Sequence, residues 1–288
     1  MRVAAAQYPL TRVAQRAAWA EKIARWVALG AATGAELLLF PEYASLELAA
    51  LLPEATRAEA WTTVRGLQAL LGTYLTLHQA LARAYRVDIV AGSFPVREGA
   101  AFYNRAYWFA PDGTIGWQDK WIATPFERAR WGIVGRAASP RAAEAAPRLF
   151  ATSYGPAGIV LCYDAEFPLL ARRLVAAGAE WLLVPSCTDD WAGYHRVRIA
   201  CQARALEGQC GVVQAVIWGD APWLPALAVN RGYAGIFVPP DAGLPAEGVL
   251  ARGGAAPGWV VAALDRAHLA WVRHAGAVRN RRDWALSE

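Results

Sequence analysis

The sequence predicts an α/β protein in which mixed β-sheets are covered by helices, and three observations carry that expectation. Short apolar runs alternate with longer amphipathic stretches along most of the 288 residues, the signature of βαβ units. Pro111-Asp112-Gly113 separates two extended segments and marks a hairpin, so part of the sheet must be antiparallel. Hydrophobic residues make up 56% of the chain, enough for a large core, yet no apolar stretch approaches the ~20 residues of a membrane span.

Taken in order, Val3–Gln7 reads as a strand, 12–32 as an amphipathic helix and Leu37–Phe40 as a second strand. A long helical stretch covers much of 56–85 before a strand at 88–94. The hairpin follows, with arms at 104–110 and 114–118. Further strands fall at 158–161, 181–184 and 211–217, separated by helices at 167–177 and about 192–207. Strands at 235–238, 248–251 and 259–264 complete the pattern, with Pro239-Pro240-Asp241-Ala242-Gly243 as another turn.

No Pro/Gly/Ser linker, charge run or low-complexity block divides the chain, so residues 1–288 are expected to form one domain with a C-terminal tail from about 266 to 288. The net charge of +5 raises nucleic acid as a partner, but the arginines are scattered. The one tight basic group, Arg279, Arg281 and Arg282, reads instead as a solvated tail or a subunit contact. The N-terminus lacks the basic-then-apolar layout of a signal peptide, from which a cytoplasmic location is expected. Cys162, Cys187, Cys201 and Cys210 have no CxxC or Cys/His spacing, so neither a metal site, a cofactor site nor a disulfide framework is expected. Cys201 and Cys210 read as core. Cys187 follows a buried strand and reads more readily as an apolar filler than as a pocket residue.

Three positions could carry chemistry. Cys162 ends an apolar run and is followed at once by Tyr163-Asp164-Ala165-Glu166-Phe167-Pro168. A strand that stops at a cysteine and turns into a helix presents an exposed nucleophile, with turn N–H groups free to lower the thiol pKa and hold an oxyanion. A buried, inert cysteine is the plainer alternative. The chain has 29 Lys+Arg but only two lysines, Lys22 and Lys120. Lys22 lies in an amphipathic helix and reads as solvated, whereas Lys120 ends an extended segment with few other charges. There a compact ammonium could serve where a guanidinium could not. Leu37-Leu38-Leu39-Phe40-Pro41-Glu42 ends a buried strand in a carboxylate, at the sheet edge where open α/β folds build their sites. Alone, Glu42 could equally be a surface residue. Together the three supply a base, a cation and a nucleophile for acyl transfer.

These segments resemble the three signature segments of the nitrilase superfamily of carbon–nitrogen hydrolases. The residues are Leu39-Phe40-Pro41-Glu42, Asp119-Lys120 and Cys162-Tyr163-Asp164-Ala165-Glu166-Phe167-Pro168. Their order and separations, 78 residues and then 42, fit the same family, as do the opening strand and Arg204-Ala205-Leu206-Glu207. The resemblance runs from about Arg2 to about Leu264. It implies a four-layer α-β-β-α sandwich with two mixed sheets face to face. It also implies Cys162 as nucleophile, Glu42 as general base, and Lys120 with the backbone N–H of Tyr163 as oxyanion donors. A further glutamate usually follows the lysine in this family. Glu127 in Thr124-Pro125-Phe126-Glu127 matches it and would orient Lys120, unless it merely pairs with Arg128 or Arg130. Members commonly pair, so a homodimer or higher homo-oligomer is expected.

The activity so implied is hydrolysis of a small amide through a thioester, releasing ammonia and an acid. Cys-Tyr-Asp at the nucleophile favours amides, whereas nitrile hydrolysers usually carry Cys-Trp-Glu. Nitriles and N-carbamoyl amines are the neighbouring alternatives. Two other classes are open to these residues: a Cys/His hydrolase using His78 or His195, and a non-catalytic binding or scaffold protein that has kept the fold. Of the 14 tryptophans, Trp121, Trp131, Trp191 and Trp218 flank the candidate segments and are expected either to line a pocket or to serve core and interface.

Overall fold

The computed structural model of the chain describes residues 1–139, 142 and 147–287. Twelve strands among them form one branched hydrogen-bonded network that divides into two six-stranded halves with the same plan. The first half comprises β1 (Arg2–Tyr8), β2 (Leu37–Leu39), β3 (Asp88–Glu98), β4 (Ala101–Phe109), β5 (Ile115–Asp119) and β12 (Gly258–Ala263). Its order is β5-β4-β3-β2-β1-β12, parallel across β1, β2 and β3 and antiparallel elsewhere. The second half comprises β6 (Leu149–Phe150), β7 (Ala157–Ile159), β8 (Trp181–Ser186), β9 (Gly211–Ile217), β10 (Gly235–Phe237) and β11 (Val249–Arg252). It runs β6-β7-β8-β9-β10-β11, parallel across β7, β8 and β9 with antiparallel flanks. Among the described residues the strands of the two halves pair only where Gln7 meets Val216 and Tyr8 meets Ile217.

Successive strand residues point to opposite faces, and three apolar layers result. In β2, Leu38 belongs to one outer layer while Leu37 and Leu39 belong to the middle one. In β8, Leu182 and Val184 face the other outer layer while Trp181 and Leu183 face the middle. The middle layer therefore lies between the two sheets. Helices α1 (Arg16–Ala32), α2 (Glu54–Arg57), α3 (Ala60–Leu67) and α4 (Leu71–Tyr85) lie on the first sheet's side. From α1, Trp19, Ile23 and Val27 enter that layer at helical spacing, and Gly30 lets the helix approach Leu38. Helices α5 (Pro168–Ala176) and α6 (Trp191–Gly208) cover the second sheet with Leu174, Val175, Val197 and Cys201. The architecture is the expected α-β-β-α sandwich.

Several elements depart from expectation. The helical stretch at 56–85 is three helices, because Gln68 bonds the Val64 and Pro95 carbonyls and the Arg97 N–H, fixing a break against the end of β3. Strand β3 runs on to Glu98 because it forms a second hairpin with β4, which begins at Ala101. The segment Ala44–Leu51 is a 3₁₀ helix with no periodic apolar signature. The tail contains α7 (Arg266–Ala275), which buries Leu269 and Val272, and Arg281 donates to the Val175 and Ala179 carbonyls rather than standing free in water. Among the described residues no helix is long and apolar enough to cross a membrane.

Candidate active site

Three strand ends converge on one cavity of about 750 Å³, whose lining includes Glu42, Lys120, Glu127 and Cys162. Glu42 follows β2. Strand β3 bulges between Val90 and Ser93, and there Gly92, at φ 76°, leaves room for the Pro41 carbonyl, which would stand 2.0 Å from any Cβ. Tyr43 then takes a left-handed conformation, φ 60°, held by the Ser93 hydroxyl accepting its N–H at 2.9 Å. This turn aims Glu42 inward.

Lys120 follows β5, its N–H donating to the Asn104 carbonyl at 2.8 Å and its carbonyl accepting from the Arg136 N–H at 3.0 Å. Its ammonium lies 2.8 Å from Glu42 Oε1 and 2.8 Å from Glu127 Oε2, all three groups being almost fully buried. Glu127 is placed by a local device. Its Oε2 accepts the Thr124 N–H at 2.7 Å while its own N–H donates to the Thr124 hydroxyl at 3.1 Å, a reciprocal capping box opening a short π-type turn at Glu127–Trp131. Its other oxygen accepts from the Tyr43 hydroxyl and from Asn104 Nδ2. Glu127 thus pairs with Lys120, not with Arg128 or Arg130. Asn104 Nδ2 also donates to Glu42 Oε1 at 2.8 Å, so one amide and one ammonium bridge both carboxylates.

Cys162 comes from the other sheet. It follows β7 in a left-handed conformation, φ 46°, and opens a 3₁₀ helix at Cys162–Glu166 that leads into α5. Such strain in a β-to-helix turn is characteristic of functional positions. The thiol donates to the Cys187 carbonyl at 3.6 Å. The Tyr163 N–H has no acceptor among the described residues outside its own short helix.

The electrostatics divide the acids into two kinds. Burial pushes the Glu42 carboxyl up; Lys120 opposes this and the like charge of Glu127 reinforces it. Burial acts the same way on Glu127, but Lys120, Tyr43 and the Thr124 N–H outweigh it and hold its carboxyl below the usual range. Burial pulls Lys120 down, yet the two glutamates hold it well above an ordinary lysine. The Cys162 thiol differs from expectation: burial, then Glu42, push it well up, and Lys120 only partly offsets them. The turn N–H groups do not leave a resting thiolate, so a nearby base is required.

The cavity walls include Tyr43 packed at 4.5 Å on Trp131, and Phe126, Leu227 and Val229. Trp131 lines it, whereas Trp121, Trp191 and Trp218 do not. Cys187 also lines it, contrary to the filler reading; the reason is that β8 ends at the cavity and leaves it half-buried. Neither His78 nor His195 lines the cavity. His78 is sealed against Tyr74 and Phe109, its pKa lowered by burial to about 4. Tyr43 and Asn104 are the site residues that sequence reasoning missed. The only available signal was their position, Tyr43 beside Glu42 and Asn104 on the strand beside Lys120. Among the described residues no group of three or more His, Cys, Asp or Glu side chains is placed to hold a metal ion.

Residues 2–236 match the family model for carbon-nitrogen hydrolases. Over 250 residues the chain is 33% identical to the Bacillus subtilis protein named Probable hydrolase YhcX, covering 87% of this chain and 47% of that one. Over 146 residues it is 31% identical to a deaminated glutathione amidase of Synechocystis sp., covering 47% and 52%. The chain thus spans about half the length of these curated relatives. Among solved structures, a mutant amidase from Nesterenkonia sp. AN1 in complex with acrylamide superposes with a TM-score of 0.66 at 23% identity, over 99% of this chain and 97% of that one. Saccharomyces cerevisiae Nit3, described as a member of branch 10 of the nitrilase superfamily, does so with a TM-score of 0.68 at 20% identity, over 96% and 93%. At such identities these two structures speak for the shared fold.

Proposed function

The chain belongs to the carbon–nitrogen hydrolase family, and from that premise we propose that it hydrolyses a small primary amide to a carboxylic acid and ammonia through a thioester on Cys162. The observation that carries this reading is the Lys120 ammonium, 2.8 Å from each of two buried carboxylates in the cavity that Cys162 lines. Among the described residues Glu42 and Glu127 take two of its three N–H groups, which leaves the third for an oxyanion.

Glu42, the acid whose pKa is raised, takes the thiol proton as sulfur attacks the amide carbon. The oxygen of the tetrahedral intermediate accepts hydrogen bonds from Lys120 and from the Tyr163 N–H. Collapse breaks the C–N bond, Glu42 returns its proton to the departing nitrogen, and ammonia leaves. Water enters, gives a proton to Glu42 and adds to the thioester. The acid departs as the sulfur regains that proton, so the net reaction is amide plus water to acid plus ammonia. Glu127, ionised throughout, keeps Lys120 charged and in place. Cys162-Tyr163-Asp164 supports an amide rather than a nitrile, and Phe126, Leu227 and Val229 suit an apolar remainder.

Ammonia release from a panel of primary amides, N-carbamoyl amines and nitriles tests the proposal, with Cys162→Ala as control. Turnover of an amide that disappears in the variant is the expected result. Turnover that survives in Cys162→Ala would end the thioester mechanism, and turnover of nitriles alone would end the amide assignment.

A further inference from the structure

The nucleophile and the cation that would stabilise its intermediate come from different sheets, so something must hold them in register. Cys162 follows β7 of the second sheet, and Lys120 follows β5 at the far edge of the first. Two hydrogen bonds join their loops directly, and both end on Asp164. Its Oδ2 accepts the Trp121 N–H at 2.8 Å and its Oδ1 accepts the Ile122 N–H at 2.8 Å. Asp164 is 3% exposed. We infer that Asp164 is a positioning residue whose carboxylate staples the Lys120 loop to the Cys162 turn and thereby sets the distance between nucleophile and oxyanion donor. This consequence for rate rests on the proposed thioester chemistry; the staple itself does not.

The staple needs two acceptors facing two N–H groups, which an ionised carboxylate provides; a carboxamide lacks the second, and a protonated acid keeps it only as a weak hydroxyl acceptor. The Tyr163 N–H lies between Cys162 and Asp164, so the same staple fixes the second oxyanion donor. Burial pushes the Asp164 carboxyl up to about 7, opposed by the Trp121 N–H, Lys120 and the Ile122 N–H and reinforced by Glu127. On its other side the Cys162–Glu166 turn meets Arg204 of α6, which donates to the Ala165 carbonyl, and Arg196, 3.5 Å from Glu166. One arm of the staple therefore weakens on the acid side of neutrality. Lys120 then drifts, and a drift of about 1 Å at reacting groups costs on the order of a hundredfold in rate.

Asp164→Asn and Asp164→Glu are compared with wild type across roughly pH 5 to 9, the range in which a carboxyl of this kind titrates. Two readouts are used: alkylation of Cys162 by iodoacetamide followed by mass spectrometry, and kcat and KM on the best amide of the panel. Thermal melts report folding. Asp164→Asn should lose kcat about tenfold or more with KM within about threefold, and the inflection near pH 7 should vanish from its alkylation and rate profiles. Asp164→Glu should recover part of kcat and shift that inflection. A folded Asp164→Asn with wild-type kcat overturns the inference, and so does lost kcat with the inflection in place. If Asp164→Asn fails to fold, an unshifted inflection in Asp164→Glu overturns it. A silent amide panel would count against the proposed function, while the alkylation profile would still decide for or against the staple.

Discussion

Both lysines of the chain pack against a glutamate and a tyrosine, Lys120 buried and Lys22 half-buried, and the two clusters differ by one carboxylate. Lys22 bonds Glu47, the Pro9 carbonyl and the Thr11 hydroxyl, and the Tyr8 hydroxyl donates to the same glutamate at 2.6 Å. Lys120 bonds Glu127, which accepts from the Tyr43 hydroxyl, but it also bonds Glu42. With one acid beside it, Lys22 does not recover what burial takes, and its pKa is lowered. With two acids, Lys120 stays well above the ordinary value despite deeper burial. A single Lys–Glu pair is electrically complete and has nothing left to give. The surplus acid of the Lys120 cluster is the one whose pKa is raised, and it faces a thiol. Burial of an ion pair is therefore weak as a sign of function; an unbalanced one beside a nucleophile is strong.

The sharpest way to break this comparison is to remove each ammonium. Lys120→Met should lower amide hydrolysis about a hundredfold or more, the usual cost of a positioned oxyanion donor. Lys22→Met should leave kcat within about twofold and reduce the melting temperature instead. Orphaning a buried partner costs about 3–5 kcal/mol at full burial, and less here because the Lys22 side chain is 16% exposed. Equal activity losses in both variants would erase the distinction.

A smaller effect sharpens it. Cys162 should alkylate at least about tenfold faster than Cys201 and Cys210, since only a thiol with a base in reach yields a thiolate on demand. Cys201 and Cys210 are sealed, and burial pushes Cys210 up to about 12 and Cys201 higher still. Cys187, which lines the cavity without such a base, should fall between. Peptide-resolved labelling at neutral pH reads all four, and uniform labelling would count against Glu42 as base.

The smallest effects lie in stability against pH: both folded pKa values lie below the unfolded ones, so stability should rise with pH in each cluster, but over different ranges. Glu127 has a folded pKa below its unfolded value, so its contribution is present above about 4.5 and is lost as pH falls through the folded value. Lys22 has a folded pKa below 10.5, so its contribution improves as pH rises from the folded value toward 10.5. Denaturant melts of Glu127→Gln and Lys22→Met against wild type should diverge in the acid and the alkaline range respectively. Parallel curves would mean that neither group titrates with folding.

Strand ends were legible because a strand announces its own stop: Phe40-Pro41, Asp119 and Leu161 mark where the pleat ends and the next side chain is aimed. Alternation along β2 and β8 carried the layers. What was illegible depends on pairings between distant segments. Asn104 looks like any strand residue until β4 is laid beside Lys120, and Asp164 looks like a turn acid until the Trp121 and Ile122 N–H groups arrive from the other sheet. Lys22 was misread as solvated because its partner, Glu47, sits in a 3₁₀ segment with no periodicity to reveal that it folds back over α1. Cys187 was misread because a half-buried strand end and a buried one have the same local sequence.

Among the described residues the strands of the two sheets pair at only two positions, Gln7 with Val216 and Tyr8 with Ile217, and the sheets otherwise pack face to face through the side chains between them. Glu42 and Lys120 ride on one sheet and Cys162 on the other. Leu39, Leu161 and Leu183, buried in that middle layer, therefore act as a gauge block whose thickness sets how far the Cys162 thiol stands from Glu42. Evolution could redraw either outer face of such a molecule freely, but a single methylene gained or lost in the middle would be felt at the sulfur.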